Sequence, residues 1–315
     1  MRGQFDLNYC GSGDFLSQIS KRGFSANLFR GAETIFKCPV CGERIRVVET
    51  RSIICPNHHT FDFAKQGYVN LVPHSVRSDY DRDLFEARRK IIADCGFFDP
   101  LIEKIVSLVG LQKNNGRDPF YLLDMGCGEG SHLSTICGQL RTGGSSDIRG
   151  IGIDLSKAGI HQAASEYSQE MWAVADLANP PLNDRTISVI LNILSPSNYN
   201  VFDRLLKEDG MAIKVVPRSG YLHELRDFFF NDTEKRIYSN SDIIENFRLH
   251  FRAFQSFKIH YVKKLSHDAM QSLIRMTPLT WKAGEERRRQ WMDGGSSEIT
   301  IDLDLIAGRK KDIIH

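Results

Sequence analysis

At 315 residues and 41% hydrophobic content, the chain is long enough for one full α/β domain plus a small additional module. No apolar run approaches the roughly 20 residues that cross a bilayer. The N-terminus has no basic stretch leading into an apolar segment and a small-residue cleavage site, so the expected location is the cytoplasm and no membrane is an expected partner. A net charge of +2 excludes a uniformly basic protein, so contact with a nucleic acid must rely on local clusters of Lys and Arg.

In chain order, residues 1–37 contain Gly11-Ser12-Gly13, few aliphatic repeats and scattered basic groups (Lys21, Arg22, Arg30, Lys37), which predicts a flexible leader. Residues 38–72 form a cysteine module. Cys38-Pro39-Val40-Cys41-Gly42 is a paired-ligand turn, and after 13 intervening residues Cys55-Pro56-Asn57-His58-His59 supplies a third cysteine and two histidines. Tetrahedral zinc takes four N or S ligands, and two short ligand pairs joined by a hairpin deliver them. His58 and His59 both lie within reach as the fourth ligand. The odd total of seven cysteines, with Cys127 inside a glycine loop and Cys10, Cys95 and Cys137 scattered, fits reduced thiols better than a disulfide framework. The apolar and aromatic set Phe61, Phe63, Tyr68, Val69 and Leu71 is too small a core to stand alone, so the metal is expected to be structural.

Residues 73–116 are expected to be a helical connector, because Leu84, Phe85, Arg88, Ile91 and Ile92 recur at helical spacing. After Asn114-Asn115-Gly116, residues 117–315 alternate strand-like runs (121–125, 148–153, 172–175, 187–191 and 211–216) with helical stretches. That alternation predicts a parallel sheet covered by helices on both faces. Two later runs, 257–262 and 298–303, read as closing antiparallel strands at the far edge.

The strongest chemical signal is Leu122-Leu123-Asp124-Met125-Gly126-Cys127-Gly128-Glu129-Gly130, a strand entering a tight glycine turn. Gly126, Gly128 and Gly130 permit positive φ and close approach of a ligand. A nicotinamide-type turn would carry a sixth-position glycine where this chain has Ser131, and Asp124 suits the cationic amino acid end of S-adenosylmethionine better than a pyrophosphate. The next strand ends in Asp154, placed to accept from ribose hydroxyls. The one after ends in Asp176-Leu177, an acceptor for an adenine amine and a packing surface for the ring. Three acids at three successive strand ends line one crevice of a doubly wound sheet. The arrangement resembles the class I (Rossmann-like) S-adenosylmethionine methyltransferase fold, here with a small N-terminal zinc-binding module. The fourth strand leads into Asn192-Ile193-Leu194-Ser195-Pro196-Ser197-Asn198-Tyr199, where such enzymes hold the acceptor. Asn192 and Asn198 are candidates to hold the acceptor's polar edge, and Tyr199 offers a stacking face.

Taken together, the motifs resemble the family of 23S ribosomal RNA (guanine-N1) methyltransferases of the RlmA type. The matching stretches include Cys38 to Cys41, Cys55 to Asp62, Ala64 to Leu71, Asp124 to Gly130, Asp154 to Lys157, Ser195 to Tyr199, Lys214 to Pro217 and Met276 to Leu279. The Ser-Pro-Ser-Asn-Tyr and Lys-Val-Val-Pro stretches are most similar to the Gram-positive branch associated with tylosin-type macrolide resistance. The resemblance implies methyl transfer from S-adenosylmethionine to N1 of a guanine in a 23S rRNA hairpin loop near the peptide exit tunnel. It also implies one structural zinc held by Cys38, Cys41, Cys55 and His59, and it leaves room for a homodimer. Where the family carries an aromatic residue after the glycine loop, this chain has Ser131-His132. No base stands out for the N1 proton, and His132 and His223 read as ordinary histidines. Arg44, Arg46, Arg51 and Lys65 make residues 38–72 the expected RNA-recognition module. Deleting that module is expected to abolish RNA binding and to spare donor binding. The competing readings are a small-molecule methyltransferase with a zinc lid and a non-catalytic zinc RNA-binding protein.

Overall fold

The computed structural model describes residues 20–73, 80–112, 119–144, 147–230 and 239–310. The glycine-rich turns at 11–13 and 114–116 lie outside them. Helix α1 (Lys21–Arg30) begins at Ser20, whose hydroxyl accepts from the Gly23 N–H at 3.2 Å. Its Phe29 is fully buried and packs on Phe36 and Phe63, with ring centroids 4.8 and 5.2 Å away. Residues 20–37, which the sequence placed in a flexible leader, are thus ordered. Apart from Ile35 their buried positions are small or aromatic (Ser25, Ala26, Phe29, Ala32, Phe36), so an aliphatic count barely registers them.

Strands β1 (Arg46–Val48), β2 (Ser52–Ile54) and β3 (Thr60–Asp62) form an antiparallel ribbon beneath the cysteines. β4 (Tyr68–Asn70) leaves it. Helix α2 (Arg82–Arg89), continued by a π turn over Lys90–Asp94, and α3 (Asp99–Gly110) follow. The alternating region then runs β5 (Phe120–Met125), α4 (Ser131–Thr142), β6 (Ile148–Asp154), α5 (Lys157–Glu166), β7 (Met171–Val174), β8 (Ile187–Ile193), α6 (Tyr199–Leu205) and β9 (Leu206–Pro217). The chain continues through α7 (His223–Phe229), α8 (Ser241–His250), β10 (Phe251–Lys264), α9 (His267–Met276), α10 (Glu285–Gly294) and β11 (Glu298–Lys310).

Eight strands join in the order β4-β7-β6-β5-β8-β9-β11-β10. From β4 to β9 all neighbours are parallel. β11 is antiparallel to both β9 and β10, so of the two closing strands only β11 opposes the sheet, while β10 at the edge runs with it. Apart from β4 this is the class I methyltransferase arrangement, with the order reversing at β5, where the strand ends diverge and open a crevice.

Period-two alternation divides each central strand between two cores. On β5, Phe120 and Leu122 face the layer of α3, α4, α9 and α10, whereas Tyr121, Leu123 and Met125 face the opposite side. That second core is closed by α1, α6, α8 and the ribbon itself, through Phe29, Phe36, Ile53 and Phe63. The ribbon and leader helix therefore do the work that a covering helix does elsewhere. β4 adds to the sheet edge with Tyr68 opposite Trp172 and Asn70 opposite Val174.

Candidate active site and metal centre

At the carboxyl ends of the parallel strands lies a cavity of about 730 Å³. One wall is the glycine loop. Gly126 adopts φ +87°, and a Cβ there would come within 2.1 Å of Ser195 Oγ, so only glycine lets the loops after β5 and β8 touch. Gly126, Gly128, Asp154, Leu155 and Leu177 line this side. Asp154 Oδ2 accepts from Gly128 N–H at 2.9 Å, and Oδ1 from Ser156 N–H at 2.7 Å. These bonds fix the loop and oppose the burial that raises the carboxyl's pKa. Gly130, at φ +85°, begins α4 beneath the turn, where a Cβ would strike Trp172 at 2.6 Å.

Asp124 sits behind the loop, 2% exposed and off the cavity wall, with Oδ1 lacking any hydrogen-bond partner among the described residues. Burial raises its carboxyl to about 7, against the lowering effect of Arg88 and with Asp154 and Glu129 adding to the rise. A buried carboxylate with an unpartnered oxygen is costly unless a cation completes it. That donor set fits the ammonium of S-adenosylmethionine. Asp176 lies apart. It is exposed, its Oδ1 accepts from Ala178 N–H at 2.9 Å, and it is absent from the cavity wall although Leu177 is present.

The connector supplies a further wall that its helical periodicity did not disclose. Leu84, Phe85 and Arg88 of α2 face the glycine loop, and Arg88 Nε pairs with the buried Glu129 at 3.2 Å. The guanidinium thus stands beside Gly128 and Asp154 as a cation suited to a carboxylate. Tyr80 and Trp281, 46% and 40% exposed, meet edge to face at 5.6 Å on the same cavity.

The acceptor side differs from the sequence expectation. Asn192 is fully buried and outside the cavity wall. Its amide nitrogen donates to Met125 O at 2.9 Å and Pro196 O at 3.0 Å, and its oxygen accepts from Lys214 Nζ at 2.6 Å. It braces backbone and is not free to hold a base. Asn198 is exposed and caps α6, accepting from Val201 N–H at 3.3 Å. Tyr199 turns inward, edge to face with Phe202, Phe247 and Phe251, so its ring is spent on the core. Leu194, Ser195, Pro196, Ser197 and Lys214 form the wall instead, and Leu194 holds φ +53°, a strained value for a branched residue. His132 is buried against Phe98 and pushed down to about 3 by burial, and His223 lies beside Glu224 at the surface. Neither lines the cavity.

In the ribbon, the ligand atoms of Cys38, Cys41, Cys55 and His59 all lie within 4.8 Å of one another. His59 Nδ1 is 3.6 Å from Cys38 Sγ and 3.4 Å from Cys55 Sγ, and Cys41 Sγ is 3.7 Å from Cys55 Sγ. A tetrahedron with zinc bonds of about 2.3 Å to S and 2.1 Å to N has edges of about 3.8 and 3.6 Å. The four residues fit zinc with no position left open. Two knuckles produce the geometry: Gly42 at φ +76° donates to Cys38 O at 2.9 Å, and His58 at φ +61° donates to Cys55 O at 3.0 Å. The turn directs His58 to the surface and His59 to the sulfurs. Hydrogen bonds, led by the Glu43 backbone, lower the Cys41 thiol to about 6 and favour the thiolate that a metal binds.

Residues 36–78 match the family model of the RlmA N-terminal zinc ribbon. A protein named as a 23S rRNA (guanine-N(1)-)-methyltransferase, YxjB of Bacillus subtilis (strain 168), is 45% identical over 278 residues, covering 88% of this chain and 98% of that one. The chain belongs to this family. The 23S rRNA (guanine(748)-N(1))-methyltransferase of Streptomyces fradiae is 30% identical, covering 85% of this chain and 94% of its own. A family member of Micromonospora griseorubida is 27% identical over 88% and 97%.

Proposed function

We propose that this protein transfers the methyl group of S-adenosylmethionine to N1 of a guanine in a hairpin loop of 23S rRNA. One observation carries the reading. A single cavity joins a donor wall of Gly126, Gly128, Asp154 and Leu177 to a polar wall at Ser195, Ser197 and Lys214, and it opens past exposed aromatic rings. The donor supplies an electrophilic methyl group. Asp124 meets its ammonium from behind the glycine loop, Arg88 its carboxylate, Asp154 its ribose hydroxyls, and Leu177 its adenine face. Tyr80 and Trp281 offer π faces to a base extruded from a single-stranded loop, a substrate that costs little to unstack. Residues 38–72 grip the RNA backbone, 73–116 join the grip to the site, and 117–315 carry the chemistry.

A small metabolite as acceptor is disfavoured by the family. No helix among the described residues is long and apolar enough to cross a membrane, and a cytoplasmic setting suits both the substrate and the free thiols. The test is label transfer from tritiated donor to 23S rRNA lacking this methylation, followed by primer extension. Methylation at N1 blocks Watson–Crick pairing and stops reverse transcriptase. A stop at one loop guanine is expected, and labelled RNA without any stop would refute N1 as the target.

A further inference from the structure

Lys214 on β9 is an anomaly. It is 4% exposed, yet among the described residues no carboxylate lies within ion-pair distance of Nζ. Its two hydrogen bonds go to neutral acceptors, Asn192 Oδ1 at 2.6 Å and Ser195 O at 2.7 Å. Among the described residues, none of the titratable groups on the surrounding elements pairs with it. On β11, Asp302 and Asp304 are held by Arg218 at 3.2 and 2.8 Å. Asp124 on β5 makes no ion pair with Nζ, and Tyr221 on the far wall is neutral, its hydroxyl pushed further up by burial. Desolvation alone acts on the amine and lowers it to about 8. An uncompensated buried ammonium is expensive, so a lysine kept here is poised to be neutral.

The geometry of the amine is as informative as its burial. A neutral amine has two N–H bonds and one lone pair. The two protein acceptors take both hydrogens, which leaves the lone pair as the one free vertex of a side chain that lines the acceptor wall. We propose that Lys214 is the general base that removes the N1 proton of the target guanine. This rests on the methyl transfer argued above. The N1–H bond breaks as its proton passes to Nζ, converting the amine to an ammonium. The pair left on N1 forms the bond to the methyl carbon, and the electrons of the breaking S–C bond remain on sulfur. The new ammonium lies beside guanine O6, where charge accumulates as N1 ionises, and it returns its proton to solvent when the product leaves. Asn192, the expected contact to the base, becomes the positioning residue that fixes Nζ. The strained Leu194 turn is held by the same amine through Ser195 O.

The experiment is single-turnover methylation of unmethylated rRNA by wild type, Lys214→Met and Lys214→Arg across pH 6 to 9, with S-adenosylhomocysteine affinity measured for each. Wild type should accelerate with pH and level off above about 8. Lys214→Met should lose about 10²- to 10⁴-fold, the ordinary share of a positioned base, while retaining the affinity. Lys214→Arg separates a base from a brace, since it can still donate to Ser195 and Asn192 but cannot accept a proton. It should be as slow as Lys214→Met. Near-wild-type turnover by either variant, with an unchanged pH profile, would overturn the assignment and leave the methyltransferase reading intact. Absence of N1 methylation by wild type would overturn both.

Discussion

The acid that most strongly shapes the donor site is also the one that folding pays least attention to satisfying. Asp124 keeps one oxygen without a partner, and its carboxyl rises to about 7 because burial penalises the anion. The folded chain therefore retains a proton that the unfolded chain releases near the ordinary value of 3.8. The stability this provides is full at low pH and is lost as pH rises from about 4 through 7. Asp124→Asn should remove that slope, so its melting temperature should fall less between pH 5 and pH 8 than that of wild type. The donor's ammonium reverses the preference and requires the anion. Calorimetry should show S-adenosylhomocysteine binding about tenfold more tightly at pH 8 than at pH 6 in wild type, with a weaker and flat affinity in Asp124→Asn. A slope that survives the substitution would assign the ionisation to another group.

At the scale of elements, the leader helix and the zinc ribbon are structural parts of the catalytic domain. Phe29 on α1 is fully enclosed by Phe36, Phe63 and the central strands. Phe29→Ala should cost about 3–5 kcal/mol, the usual range for emptying an aromatic site, and denaturant unfolding should report it. A loss below about 1 kcal/mol would mean the helix is only loosely docked. The same packing changes the expectation for deleting residues 38–72. That deletion removes β4 from the sheet and Ile53 and Phe63 from its core, so donor binding would fall with the fold. Surface substitution is the cleaner test of RNA contact.

For the whole molecule, RNA recognition must come from local charge, since the net charge is only +2. Arg44, Arg46, Arg51 and Lys65 are all exposed on the zinc module. Replacing the four with Gln should weaken rRNA binding in filter assays. It should also reduce the slope of log affinity against log salt by up to about 3.6, at roughly 0.7–0.9 per phosphate contact. S-adenosylhomocysteine affinity should not change. An unaltered slope would place the RNA on another face.

Periodicity and spacing made much of this protein legible. Strand runs identified the parallel sheet because a strand buried on both faces leaves a continuous apolar signature. Cys38, Cys41 and Cys55 declared a metal site because ligand spacing is local, as is the glycine turn after Asp124. Spacing left His58 and His59 both open and the family resemblance chose His59, while the physical reason, a positive φ at His58, is one that two adjacent histidines do not reveal. Asn192, Asn198 and Tyr199 read as acceptor contacts because composition cannot say which way a side chain points. The fold turned them to backbone bracing, helix capping and the aromatic core. Arg88, Tyr80, Trp281 and Lys214 reached the cavity only because distant segments pack over one sheet end. The sequence by itself determined the class of fold, the donor and the metal, whose chemistry resides in contiguous motifs. The acceptor wall and its free amine were decided by tertiary structure, because burial and orientation are properties of neighbours brought together across the chain.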